Sequence, residues 1–370
     1  MNKLKQRILL LFLVITSVYT NAQQKFTVAL TESIPVPTSK LFHSPGDGHT
    51  QYVGRIDNEN ISLPRFWQPG VYFTVKFKGS TCEIFLNDEV LYGNSHNYIE
   101  VVVDAIKPIR LQMRWKNNKL KIEGLGKGNN TISICKNTEA GIGYVEFAGI
   151  NCKKLLPLPG KPVRKIEYIG NSITCGSGMD LSEVPCGKGK WYDQHNAYMS
   201  YGPLTSRALN AQWVLSSVSG IGMIHSCCKM DITMPPVFDK IDMRDDSIAW
   251  NFDNYIPEVV TICLGQNDGI QDSTTFCNAY INFIKNIRSK YADADIVCLT
   301  SPMGDEKLTA VLKNYLTSIV DALHNSGDQN VSTYFFTQQY HHGCGGHPDM
   351  EEHQQIAAEL THYIKSLEHW

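Results

Sequence analysis

The sequence has little net charge and no basic cluster: 34 lysines and arginines stand against 36 aspartates and glutamates, a formal charge of -2. Without a lysine- and arginine-rich face the chain lacks the attraction that nucleic acids and anionic membranes offer to basic proteins, which argues against both as partners. Long apolar runs are also missing after the first twenty residues, so no later segment is expected to cross a bilayer.

What is present begins with that first run. Lys3, Lys5 and Arg7 precede an apolar stretch from Ile8 to Val18, and Thr20-Asn21-Ala22 has the small-residue form of a signal peptidase site. Residues 1–22 are therefore expected to be a signal peptide, too short to span a bilayer and with no cysteine at the site to accept a lipid. The chain is expected to be exported to the periplasm or beyond, and the mature protein then carries a charge of -5. An odd number of cysteines, 11, leaves at least one thiol unpaired within a monomer. Cys175 and Cys186 flank one loop and are expected to form a disulfide. Cys263 and Cys298 fall in buried strands and read as free thiols. Cys227-Cys228 lacks the spacing of a Cys-x-x-Cys site and reads as two unrelated thiols.

Two rhythms divide the rest. Residues 24–150 read as all strand, in short runs such as Val71–Lys78, Cys82–Leu86, Tyr98–Val103, Ile109–Trp115, Lys119–Glu123 and Thr131–Cys135, with turns at Asn117-Asn118 and Lys127–Asn130. This pattern predicts a β-sandwich, and nothing in it gathers His, Asp and Ser near strand ends, so this half reads as a scaffold or binding module. Residues 151–162 hold Pro157, Pro159, Gly160 and Pro162 and read as a stiff linker. From 163 to 370 strands at Lys165–Ile169, Gln212–Ser217, Val259–Leu264, Asp295–Thr300 and Ser332–Phe336 alternate with helical patterns near Tyr201–Leu209, Thr274–Lys290, Lys307–His324 and Asp349–Leu367. Such alternation predicts a doubly wound, mostly parallel α/β sheet whose reactive groups collect at the carboxyl ends of the strands.

Four residues fall at those ends: Ser172 in Gly170-Asn171-Ser172-Ile173-Thr174, Gly220, Asn267 in Gly265-Gln266-Asn267-Asp268, and His347 before Pro348. Serine acyl transfer needs a nucleophile, a base and donors for the oxyanion, and this set supplies each. Ser172 would attack, His347 would move the proton, and the backbone N–H groups of Ser172 and Gly220 with the Asn267 amide would hold the negative oxygen. Each residue alone has an ordinary structural use, as a turn, a loop or a helix start. Trp191, Tyr192 and Tyr340 are candidate platforms for a sugar ring, with core packing as the default for any one of them.

The order resembles the SGNH (GDSL-type) hydrolase superfamily, in which Gly-Asp-Ser-Ile-Thr-Cys-Gly corresponds here to Gly170 through Gly176, Gly-x-Asn-Asp to Gly265 through Asp268, and His-Pro to His347-Pro348, with His353-Gln354 further on. It resembles more closely carbohydrate esterase family 2, in which a jelly-roll-like β-domain precedes the hydrolase domain. The resemblance runs from Gly54-Arg55 to the terminal helix. It implies deacetylation of plant-cell-wall polysaccharides such as xylan and mannan, without metal or organic cofactor. Two departures stand out. Asn171 replaces the Asp beside the nucleophile, and Cys344 stands where the superfamily has an Asp three residues before the His. Family 2 implies a Ser-His dyad with a backbone carbonyl in the orienting role; Asp349 is a local alternative that reads as the start of the last helix. Three competing readings remain. His341, His342, Cys344 and His347 crowd together but match no familiar zinc spacing. A carbohydrate-binding protein that had lost catalysis would keep the sandwich and the aromatic surface. A lipase or thioesterase would need an apolar channel beside the serine, where this chain has a polar and aromatic loop from Ser177 to Asn196.

Overall fold

Apolar runs bounded by glycine and polar turns become the central strands of a parallel sheet. The computed structural model describes residues 15–21, 24–33, 39–244 and 247–370. Most of the expected signal peptide, and its cleavage site at residue 22, lie outside the described residues. Five strands, β1 (Arg164–Gly170), β2 (Ala211–Ser217), β3 (Val259–Cys263), β4 (Asp295–Leu299) and β5 (Val331–Tyr334), lie in the order β2-β1-β3-β4-β5, all parallel. Every residue of β3 is buried, as a strand covered on both faces requires.

Between and after the strands run the one-turn helix α1 (Ser172–Cys175), then α2 (Tyr201–Ala208), α3 (Ser273–Lys290), α4 (Glu306–Asn325) and α5 (Met350–Glu368). Residues of α3 and α4 join one core cluster and those of α2 and α5 another, so helices cover both faces. Aspartates start the long helices: Asp272 and Asp305 accept from the N–H groups of Thr275 and Leu308 at 2.8 Å, and Asp349 forms a capping box with Glu352. Because β1 leads to β2 on one side while β3 lies on the other, the chain reverses direction across the sheet between β1 and β3. Ligands bind at such crevices, and Ser172 and Asn267 follow those two strands.

The N-terminal half is an antiparallel, barrel-like sheet closed around one core that includes Phe73, Phe77, Ile84, Ile122, Ile134 and Phe147. Its spine is a single strand, Tyr72–Asp88, where two runs were expected. Gly79, at φ 135°, lets the backbone bend without ending the pairing. Asn117 and Asn118 open the strand Asn117–Glu123 instead of forming a turn, and Val145–Leu156 continues as strand six residues into the expected linker.

The two halves share buried contacts. Arg55 from the N-terminal half is fully buried, with its guanidinium 2.9 Å from Glu167 on β1 and 2.7 Å from the Lys240 carbonyl. Loss of one partner of such a pair commonly costs about 3–5 kcal/mol. The Tyr72 ring stacks on Trp213 of β2 at 4.2 Å.

Candidate active site

The turn from β1 into α1 puts Ser172 where its side chain meets a cavity. A Cβ on Gly170 would collide with the Thr174 hydroxyl, so only glycine leaves room for this turn. Asn171 caps α1 by accepting from the Ile173 N–H at 3.2 Å, the service an aspartate would give, and Gly176 closes the turn at φ 72°. Ser172 Oγ lies 2.8 Å from His347 Nε2.

On its other side the His347 ring is held at Nδ1 by the Cys344 carbonyl, 3.0 Å away. A carbonyl only accepts, so Nδ1 carries the hydrogen and Nε2 is left free to accept the serine proton. Asp349 takes no part, because its carboxylate accepts from the Glu352 N–H at 2.9 Å. Burial pushes the His347 pKa below the ordinary value; the Cys344 carbonyl and Glu139 act the other way, and His195 adds to the lowering.

Ser172, Gly220, Asn267 and His347 line one cavity of about 1030 Å³. Gly220 follows β2 at φ 85°, and its carbonyl accepts from the Cys227 N–H at 2.8 Å. Asn267 donates one amide hydrogen to the Ile221 carbonyl at 2.8 Å, which fixes the side chain and leaves its second hydrogen available. Asp268 beside it gathers the N–H groups of Met223, Ile224 and His225 at 2.7–3.0 Å. Its structural part in the Gly-x-Asn-Asp block is to fold the loop that follows Gly220.

A further carboxylate comes from the half read as scaffold. Glu139 is buried, and its Oε2 accepts from the Ser219 N–H, next to Gly220, at 2.6 Å. Its Oε1 lies 3.2 Å from His195 Nε2, which is 3.0 Å from Ser177 Oγ. Burial alone would raise the Glu139 pKa, but His195 and Ser219 hold it below the usual carboxylate range. The N-terminal half thus supplies part of the cavity wall and a brace for the loop after β2. No local signal marked Glu139, since its partners are 56 and 80 residues away.

Other expectations fare differently. Trp191 is 58% exposed and lines the cavity, its ring edge-on to His195. Tyr192, by contrast, is buried in a small cluster with Tyr98 and Ile142, and its hydroxyl accepts from the His96 N–H. Tyr340 is buried too, its hydroxyl donating to Glu359. Neither tyrosine is a platform, because each packs in the interior as large aromatics commonly do.

The expected Cys175–Cys186 disulfide is corrected: Cys186 is bonded to Cys344. Helix α1 turns Cys175 inward, where its thiol meets Ser217 Oγ and Glu139, while Cys186 sits on the outer loop. Cys227 and Cys228 are bonded to each other, not unrelated. Cys263 and Cys298 are buried free thiols, as expected.

His342, Asp349 and Glu352 form the one group of three metal-capable side chains among the described residues. The two carboxylates already serve the backbone, since Glu352 accepts from the N–H groups of His341, His342 and Asp349 and Asp349 accepts from that of Glu352, and the His342 ring is bonded to Glu352 at 2.6 Å. The cluster is the start of α5.

Residues 52–159 match the carbohydrate esterase 2 N-terminal family. The chain is 31% identical over 336 residues to the cellulase/esterase CelE of Acetivibrio thermocellus, covering 86% of this chain and 39% of that protein. It is 29% identical over 339 residues to an acetylxylan esterase / glucomannan deacetylase of Cellvibrio japonicus, covering 88% and 90%. A solved structure of a family two carbohydrate esterase from Clostridium thermocellum, in complex with cellohexaose, is 30% identical with a TM-score of 0.80, covering 87% of this chain and 99% of that one. The chain therefore spans less than half the length of the first of these relatives.

Proposed function

Because the chain belongs to carbohydrate esterase family 2, we propose that it removes O-acetyl groups from plant polysaccharides such as xylan and mannan by serine acyl transfer. Ser172 attacks the acetyl carbonyl as His347 Nε2 takes its proton. The Ser172 and Gly220 N–H groups and the Asn267 amide receive the developing oxyanion. His347 returns the proton to the departing sugar oxygen, and water repeats the sequence to free acetate. The observation that carries this reading is the 2.8 Å approach of Ser172 Oγ to His347 Nε2, with the ring held from behind at 3.0 Å.

Trp191 offers a sugar ring a flat apolar face at the cavity mouth, beside Lys188, Lys190 and Gln194. The Cellvibrio japonicus relative is named for acetylxylan and glucomannan, and the Clostridium thermocellum structure holds cellohexaose; both support a glycan backbone as the carrier of the acetyl group. The N-terminal sheet is read as jelly-roll-like, and the leader from Lys3 to Ala22 as the signal that exports the enzyme to its polymer.

The test is acetate release from acetylated xylan and glucomannan by the purified protein, run beside 4-nitrophenyl acetate and a long-chain ester. Acetate release with little long-chain turnover is expected. Preference for the long chain would favour a lipase instead, and no hydrolysis by folded protein would leave a glycan-binding role.

The pH dependence follows from the base. His347 must be neutral to accept a proton, and burial disfavours its cation, so activity is lost only as pH falls through a pKa below the ordinary 6.5. A plot of kcat/KM for 4-nitrophenyl acetate against pH is expected to show an acid limb under that value. A limb above it would contradict a buried neutral base.

A further inference from the structure

In this chain the residue three positions before His347 is Cys344, and its peptide carbonyl is the group that receives the His347 Nδ1–H. The same residue is covalently tied through its sulfur to Cys186, 158 positions away. We propose that the Cys186–Cys344 disulfide positions the catalytic base, clamping in place the carbonyl that stands in for a carboxylate. The proposal rests on the reading of His347 as the base.

The carbonyl needs a clamp because of the backbone that bears it. Cys344 leads into Gly345 and Gly346, which adopt φ 64° and 74°, and glycines keep more conformational freedom than any other residue. The non-covalent ties of this turn are few: the Cys344 N–H to the Gly178 carbonyl at 2.8 Å, the Gly343 N–H to the His347 carbonyl at 2.7 Å, and the His347 N–H to the Cys344 carbonyl at 3.3 Å. A peptide plane beside two glycines swings at little cost, and a rotated carbonyl would release the imidazole from its alignment with Ser172.

The far end of the disulfide is anchored more firmly. Cys186 lies in the loop from Ser177 to Asn196. Arg110 of the N-terminal half fastens that loop by donating to the carbonyls of Asp193 at 2.7 Å and His195 at 2.9 Å. Tyr98 donates to Asp193 at 3.1 Å, and Gln194 bridges to the carbonyls of Val184 and Lys188 at 3.3 and 3.2 Å. The positional information thus runs from the N-terminal half through this loop and the disulfide to the carbonyl and the imidazole. Trp191 rides on the same loop, so the clamp also fixes the distance between the sugar platform and the base.

A disulfide that served stability alone would lower the melting temperature when removed and leave chemistry unchanged. A positioning role predicts something different for Cys186→Ser and Cys344→Ser. Neither substitution removes the residue 344 carbonyl, so any catalytic loss must come from loss of the clamp. Each is expected to lower kcat for 4-nitrophenyl acetate about ten-fold or more, since small misplacements of reacting groups are costly, with KM within about two-fold of the unaltered protein. The acid limb of the pH profile is expected to move to lower pH, because an imidazole without its acceptor holds a proton less well. The double variant should lose no more than either single one. Unchanged kcat and pH limb in folded variants, with only the melting temperature reduced, would overturn the proposal.

If the variants do not fold, the oxidised protein can be reduced with a water-soluble phosphine, which donates two electrons to the disulfide, leaves two thiols and becomes its oxide with oxygen from water. Aliquots quenched with iodoacetamide and mapped by mass spectrometry separate Cys186 and Cys344 from Cys227 and Cys228. Loss of kcat should track alkylation of Cys344, and full activity in fully reduced Cys344 would sink the proposal. The unaltered protein, tested first against Ser172→Ala, keeps the two questions apart. Without Ser172-dependent hydrolysis the esterase reading itself fails, and the clamp with it.

Discussion

Replacing Ser172 with alanine is expected to lower ester hydrolysis by about 10⁶-fold, the scale seen when the serine nucleophile of a triad is removed. The fold should survive, because among the described residues the only side-chain hydrogen-bond partner of Ser172 is His347. Its loss leaves a ring nitrogen facing a cavity that water can fill. Stability should therefore change by no more than about 1 kcal/mol, the usual net worth of one such bond. His347→Ala should cost activity to a similar extent, and the double variant little more than either alone, since a nucleophile and its base act as a unit. Steady-state hydrolysis of 4-nitrophenyl acetate, paired with a thermal melt followed by circular dichroism, checks all three variants. Full activity in folded Ser172→Ala protein would dismiss the mechanism outright.

Why Ser172, Gly220, Asn267 and His347 could be read from sequence is a matter of locality. Each of the first three follows an apolar strand directly, and a parallel sheet sends all its carboxyl ends to one rim. The structure places the five strands within about two residues of the ranges expected from hydrophobic pattern. Asp349 was legible for the same reason, as an aspartate at the start of a helical pattern, where it favours the helix dipole; the capping box with Glu352 is what the structure adds.

What stayed hidden depended on contacts between distant segments. Glu139 sits in an ordinary stretch, Asn137-Thr138-Glu139-Ala140, and matters only because the halves pack so that it meets Ser219 and His195. The disulfide departs from the expected pairing for a related reason: Cys175 and Cys186 are close in sequence, but α1 turns one toward the sheet and the loop carries the other outward. Tyr192 and Trp191 are adjacent and chemically alike, yet one is 3% exposed and the other 58%. Sequence shows that an aromatic pair lies in a loop and not which member faces the solvent. The runs Val71–Lys78 and Cys82–Leu86 read as two strands because a glycine that ends a strand and one that lets it bend are alike without the pairing partner, and Gly79 does the second.

Asn267→Ala is expected to lower kcat by about 10²- to 10³-fold, equivalent to about 2.7–4 kcal/mol of transition-state stabilisation, with a smaller change in KM. The argument rests on how the side chain is held. One amide hydrogen is committed to the Ile221 carbonyl at 2.8 Å, and its backbone neighbour Asp268 organises the loop after Gly220 through three N–H bonds. The second amide hydrogen is thereby fixed in direction before substrate arrives, and a fixed donor is worth more to a developing oxyanion than one that must reorganise. Asn267→Asp should be at least as damaging, because it sets a carboxylate where negative charge must form, although the side chain is almost the same size. Substrate binding gains little from this donor before charge develops, so the loss should fall mainly on kcat. Measuring kcat and KM separately for both variants decides the matter. A rise in KM with kcat unchanged would make Asn267 a residue that holds the substrate and would return the oxyanion to the two backbone N–H groups alone.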